Sequence, residues 1–142
     1  MTPVPTHIVE ALREVFRDAL FVYVHGSAAS GRLTEESDLD VAVMFERNLS
    51  LDERGSLAET LERRVGRKVD LLDLRTADPI IKMQVLSKGQ AVVVEDRRAL
   101  AEFRMYTPSL YFDAKIQRRP AEQALFSWAR EVVAKYQGLT QP

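Results

Sequence analysis

A mixed α/β fold, a small mixed β-sheet with helices packed against it, is what this sequence predicts, and three observations lead there. Short apolar runs with strand-like flanks alternate with stretches whose apolar residues repeat at helical spacing. The chain has 142 residues, 46% hydrophobic and 29% charged, the composition of one ordinary globular domain. After Asp96 the strand pattern stops and only helical spacing continues. The expected organisation is a single domain over residues 1–142, with its core at about residues 6–96 and C-terminal helices at about 97–138.

Residues 1–5 form a proline-bearing lead-in. Thr6 is placed to cap a first helix whose apolar stripe is Ile8, Leu12, Val15 and Ala19, with Val9 and Phe16 beside it. Phe21 to Gly26 reads as a short buried strand ending in a glycine turn. Gly26 to Asp38 is small and polar, without a period of its own, and reads as a loop. Leu39 to Phe45 is a strand with Val41 and Val43 on one face and Asp40, Ala42 and Met44 on the other. Ser50 and Glu53 make a capping box for a helix that carries Leu57, Leu61 and Val65 and stops at Gly66. Lys68 to Leu74 is a third strand. Asp78-Pro79 starts the next helix, Lys88-Gly89 ends it, and Ala91 to Val94 is a fourth strand. Beyond Asp96, Phe103, Tyr106, Leu110 and Ala114 keep helical spacing, with Pro108 expected to kink or split the element. Pro120 is expected to open a last helix bearing Ala121, Leu125, Trp128, Val132 and Tyr136, stopped by Gly138, with residues 139–142 as a frayed tail.

Composition removes several function classes. Twenty Lys and Arg against 21 Asp and Glu give a net charge of −1, which argues against holding nucleic acid through a bulk positive field. With no cysteine there is no disulfide, thiolate nucleophile or Cys-based metal site. Two histidines, His7 and His25, leave little for a His-rich centre, so the metal chemistry that remains is hard and carboxylate-ligated, of the magnesium kind. No apolar run approaches the ~18 residues of a membrane span, and the amino terminus does not read as a signal peptide; the expectation is a cytoplasmic protein.

The chemistry concentrates in residues 25–45. Asp38 and Asp40 stand at i and i+2 at the mouth of a strand, which places them on one face. Two carboxylates so close repel, and partial burial penalises both charges; a divalent cation resolves both problems. Gly26-Ser27 sits where the preceding strand turns, so its backbone amides and hydroxyl suit phosphate oxygens. Asp70, alone in an apolar strand, can approach the pair if its strand lies beside Leu39–Phe45, with Asp73 pointing the other way and solvated. Three carboxylates facing a phosphate-holding turn suit two-metal phosphoryl or nucleotidyl transfer, with Asp70 as general base for an incoming hydroxyl. Each part has a bland reading: an isolated Asp-x-Asp is any charged loop, and Gly-Ser alone is a turn. It is their combination that is specific. An acid-phosphatase reading of Asp38-Leu39-Asp40 fits less well, because Glu35, Glu36 and Ser37 precede the first acid where those enzymes have apolar strand.

The stretch GSAASGRLTEESDLDVAV resembles the signature of the polymerase-beta-like nucleotidyltransferase superfamily, a Gly-Ser pair followed by Asp-x-Asp, and in particular its minimal nucleotidyltransferase branch. The resemblance covers roughly residues 20–95. It implies a polymerase-beta-like core plus a C-terminal helical extension, metal-binding and catalytic roles for Asp38, Asp40 and Asp70, and a phosphate-binding role for Gly26 and Ser27. Two magnesium ions and ATP as substrate follow from the same resemblance. The departure is Ser30, where the family's short motif usually has arginine; Arg32 and Lys68 are candidates to compensate. Chains of this size with a helical extension resemble the antitoxin of a two-gene pair whose toxin is a higher-eukaryote-and-prokaryote nucleotide-binding (HEPN) ribonuclease. That implies transfer of AMP from ATP to a tyrosine hydroxyl of the toxin, in a homo- or hetero-oligomer, with no direct nucleic acid and no membrane. The short length suits an acceptor that brings its own recognition surface. Two alternatives stay open: neutralisation of a toxin by binding alone, with Ser30 marking decayed catalysis, and the same chemistry on a small molecule.

Other residues have plainer readings. His25 is a turn residue or a neighbour of the metal ligands, His7 is solvated, and Trp128 with Leu125 and Val132 reads as core. Tyr106, Leu110, Tyr111 and Phe112 are richer in aromatics than a small core needs and suit a nucleotide base or a partner surface. Lys115, Arg118 and Arg119 form a short basic patch, while Lys82 and Lys88 read as surface residues, Lys88 also favourable at a helix end.

Overall fold

A computed structural model describes the backbone of residues 4–140 and side chains through residue 137. The chain runs α1 (Thr6–Val15), β1 (Phe21–His25), α2 (Ser27–Ser30), β2 (Leu39–Met44), α3 (Leu51–Val65), β3 (Val69–Asp73), α4 (Pro79–Lys88), β4 (Gln90–Val94) and α5 (Arg97–Thr140). The four strands form one mixed sheet in the order β3-β2-β1-β4. β1 is antiparallel to both β2 and β4, and β2 is parallel to β3.

Strand alternation gives the sheet two different faces. Val22, Val24, Leu39, Val41, Val43, Val69 and Leu71 point to one side, where Ile8, Leu12 and Phe16 of the α1 segment and Leu61 of α3 close over them. Phe21, Tyr23 and Ala42 point to the other, against Val85 of α4 and Leu100 and Phe103 of α5. Phe21, Tyr23 and Phe103 meet as tilted or edge-on rings with centroids 5.3–5.9 Å apart. The capping box on α3 forms in both directions, and Gly66 closes that helix at φ 69°. Asp78 caps α4 by accepting from the Ile80 amide, with Pro79 in the first turn.

Several expectations need correction. Pro5, not Thr6, precedes α1, and its carbonyl accepts from the Ile8 and Val9 amides without any side-chain cap. The polar loop contains one short helix, α2, because Ala28 and Ala29 are small enough to bury beneath the turn. Asp73 does point away from Asp70, but it is buried rather than solvated: its carboxylate accepts from the Leu49 and Arg75 amides, both at 3.0 Å. α5 is one helix through Pro108 and Pro120 and past Gly138. Each proline removes one backbone donor, a local loss that the bonds of the surrounding turns outweigh. The helix outruns the sheet, so Trp128, Leu125, Val132 and Tyr136 are exposed instead of core. Residues 1–3 of the expected lead-in, and 141–142 of the expected tail, lie outside the described residues.

Candidate active site

The site forms where β1 ends and β2 and β3 begin. In the sheet register His25 pairs with Asp40 across the antiparallel ladder, and Asp40 pairs with Asp70 across the parallel one. Directly opposed residues share a face, so His25, Asp40 and Asp70 form one row on the side of the sheet that bears Tyr23 and Ala42. Asp38 stands just before β2 and is exposed. The loop that carries it is fastened by Arg67, whose guanidinium donates to the Thr34 carbonyl at 2.6 Å and the Ser37 carbonyl at 3.3 Å.

Gly26 follows His25 at φ 63°, ψ −139°, a conformation that side chains do not tolerate. There is a second reason for glycine: a Cβ here would lie 2.2 Å from Oδ2 of Asp40. The Asp40 carboxylate is therefore seated against the backbone of the turn. Ser30 and Arg32 donate their amides to the carbonyls of Gly26 and Ser27, which closes the turn over α2. A cavity of about 630 Å³ opens beside it, lined by Gly26, Ser27, Ser30, Arg32 and Lys88. Arg32 also donates from Nε to the Ser30 hydroxyl at 3.3 Å, which holds its side chain beside Ser30 at this cavity. Lys68 does not line this cavity. Lys88, exposed at the end of α4 as the sequence predicts, does; the pairing of β4 with β1, invisible in local sequence, brings it there.

Burial and like charge act together on the row. Burial pushes the Asp40 carboxyl up, and the Asp70 and Asp38 charges push it further, against the pull of His25. Burial lowers the His25 imidazole, although Asp40 and Asp70 favour its charged form. Its Nε2 is buried without a hydrogen-bond partner among the described residues. No group of three Asp, Glu or His that could hold a metal by itself exists among the described residues. Magnesium takes one or two protein carboxylates and completes its shell with substrate phosphates and water. The crowded carboxylates of Asp38, Asp40 and Asp70 fit such an ion chemically.

Residues 7–98 match the family model described as polymerase beta, nucleotidyltransferase. The chain belongs to that family. The protein adenylyltransferase MntA of Shewanella oneidensis is 32% identical over 83 residues, which is 58% of this chain and 60% of that protein. The matched stretch thus spans less than two thirds of that curated relative. Among solved structures, a crystal structure of a toxin–antitoxin with AMP-PNP superposes with a TM-score of 0.74 at 27% identity, covering 84% of this chain and 96% of the other. A tri-AMPylated Shewanella oneidensis HEPN toxin in complex with MNT antitoxin matches with a TM-score of 0.69 at 25% identity, covering 84% and 92%. The fold is therefore the polymerase-beta-like core with the long helix α5 extending beyond it. No helix among the described residues is long and apolar enough to cross a membrane.

Proposed function

We propose that this protein is an antitoxin nucleotidyltransferase that transfers AMP from ATP to a tyrosine hydroxyl of a cognate HEPN ribonuclease toxin. The observation that carries the reading is the alignment of Asp40 with Asp70 across β2 and β3, with the Asp40 carboxylate seated against the Gly26 turn. The S. oneidensis protein adenylyltransferase and the tri-AMPylated toxin complex support the reaction and the acceptor. The AMP-PNP complex supports ATP as donor.

Each residue has a distinct task. Asp38, Asp40 and Asp70 would hold two magnesium ions, which when bound neutralise triphosphate charge and make the acceptor hydroxyl more acidic. Asp70, at the outer end of the row, takes the proton of the attacking hydroxyl. Gly26 and Ser27 cradle phosphate oxygens, and Ser30 orients Arg32 toward them. The bond from Arg32 to Ser30 keeps a guanidinium charge at this cavity, which supports compensation by Arg32 for the serine at position 30 and so catalysis over neutralisation by binding alone. The reading includes a single domain over residues 1–142, a cytoplasmic location, where ATP and magnesium are available, and a hetero-oligomer with the toxin. It includes no membrane, and the net charge of −1 favours no direct nucleic-acid partner.

The test is magnesium-dependent incorporation of α-labelled ATP into the toxin. Asp38→Asn, Asp40→Asn and Asp70→Asn are each expected to lower it by at least about a hundredfold, since each removes a charge-matched contact to the transition state. Full incorporation by Asp40→Asn would sink the proposal.

A further inference from the structure

Lys88 is the last residue of α4, and the chain turns there into β4 through Gly89. Gly89 has an ordinary φ of −88°, so its freedom to turn is not what matters. Space is. A Cβ at Gly89 would lie 2.5 Å from the Val85 carbonyl oxygen and 2.9 Å from that of Val24 on β1. The joint between α4 and β4 presses against β1 as closely as only glycine allows, and that brings Lys88 to the end of β1 and its Gly26 turn.

There Lys88 shares the cavity of about 630 Å³ with Arg32, Ser27 and Ser30. Favourable placement at a helix C-terminus accounts for a lysine at this position, but not for two cations lining one cavity. Neither Lys88 nor Arg32 has an acidic partner among the described residues. Both side chains are exposed, so water screens their mutual repulsion, and a polyanion entering the cavity meets both charges at once. The strand order gives that anion a direction. Asp70 and Asp40 lie on β3 and β2, the Gly26 turn follows β1, and Lys88 enters β4. A polyphosphate laid along this line has its reacting phosphate at the carboxylate end and its terminal phosphates at Lys88.

We infer that Lys88, with Arg32, holds the terminal phosphates of the nucleoside triphosphate, selects it over shorter nucleotides and carries the charge of the departing pyrophosphate. This rests on the nucleotidyl-transfer reading above. In the transfer, the acceptor oxygen bonds to the α-phosphorus as its proton passes to Asp70. The bond from the α-phosphorus to the bridging oxygen breaks, and its electron pair leaves with pyrophosphate, which gains negative charge. A cation at that end is held more tightly in the transition state than in the ground state, so its loss lowers kcat as well as raising KM.

The test is calorimetric binding of ATP, ADP and AMP, each with magnesium, to the full chain and to its Lys88→Gln and Lys88→Arg variants, with inorganic triphosphate as competitor. Lys88→Gln is expected to shrink the preference for ATP over AMP by about ten- to a hundredfold, as for loss of one charged hydrogen bond, and to weaken triphosphate competition. Lys88→Arg retains most of both. A merely structural lysine would lower the melting temperature and leave the ATP-to-AMP ratio where it was. An unchanged ratio in folded Lys88→Gln overturns the inference. If the ratio collapses but no AMP reaches a protein acceptor, the inference stands and the proposed acceptor falls. If transfer occurs and needs Asp40 while the ratio is unmoved, the inference falls alone.

Discussion

Replacing Gly26 with alanine tests the geometry on which the active site depends. Two costs arise at once. The backbone at φ 63°, ψ −139° is nearly closed to side chains, which costs about 1–3 kcal/mol. The new Cβ would lie 2.2 Å from Oδ2 of Asp40, where ordinary contact begins at 3.4 Å, so the carboxylate must retreat by roughly 1 Å. For a chain of this length the stability loss corresponds to a melting-temperature fall of roughly 3–10 °C. Displacing a reacting group by 1 Å costs on the order of a hundredfold in rate, so AMP transfer should fall by about that factor in protein that is still folded. Differential scanning fluorimetry reads the first effect and labelled-ATP transfer the second. The Gly26→Ala, Asp40→Ala double variant separates them. With the carboxylate removed the steric clash disappears, and only the backbone cost remains in the melting temperature. A Gly26→Ala protein that melts and transfers AMP like the wild type would refute the placement of Asp40 against the turn.

Asp73→Ala leaves the Leu49 and Arg75 amides without their acceptor and should cost about 1–3 kcal/mol in urea unfolding. Transfer per folded molecule should hold, because Asp73 faces the opposite side of the sheet from Asp70. At Asp78, the Ile80 amide and then Arg118 hold the carboxyl below its ordinary value of 3.8, against a smaller opposing effect of burial. The stability it contributes is therefore complete above that value and is lost as pH falls through the lower folded one. Arg118→Gln should make the acid-side decline in melting temperature shallower, while the Ile80 bond preserves part of it; an unchanged acid limb would show that the Arg118–Asp78 pair contributes nothing.

Much of this was legible in the sequence because local chemistry wrote it there. The Ser50–Glu53 capping box, the Asp78-Pro79 start and the alternation in Leu39–Met44 each follow from residues within one turn or a few strand positions. Asp73 was misread because alternation tells which way a residue points but not what covers that face; the Leu49 amide that satisfies it arrives from another segment. Lys88 is the exposed helix-end residue that the sequence predicts, but its place beside Gly26 depends on β4 pairing with β1 and on the close approach at Gly89. For Trp128 the periodicity correctly marked an apolar helix stripe, yet the continuity of α5 through Pro108 and Pro120 carries that stripe beyond the sheet. The candidate carboxylates could be named from spacing and resemblance, whereas their alignment as a row with His25 required the strand order.

In the proposed reaction the carboxylates of Asp40 on β2 and Asp70 on β3, in one row with His25 of β1, direct AMP onto a protein hydroxyl. Intact-mass spectrometry of the cognate HEPN toxin, incubated with this protein, ATP and magnesium, tests it most directly. A gain of one or more AMP units on the toxin is expected, abolished by Asp40→Asn and by removal of magnesium. A toxin whose mass is unchanged while the protein still neutralises it would show that neutralisation proceeds by binding alone.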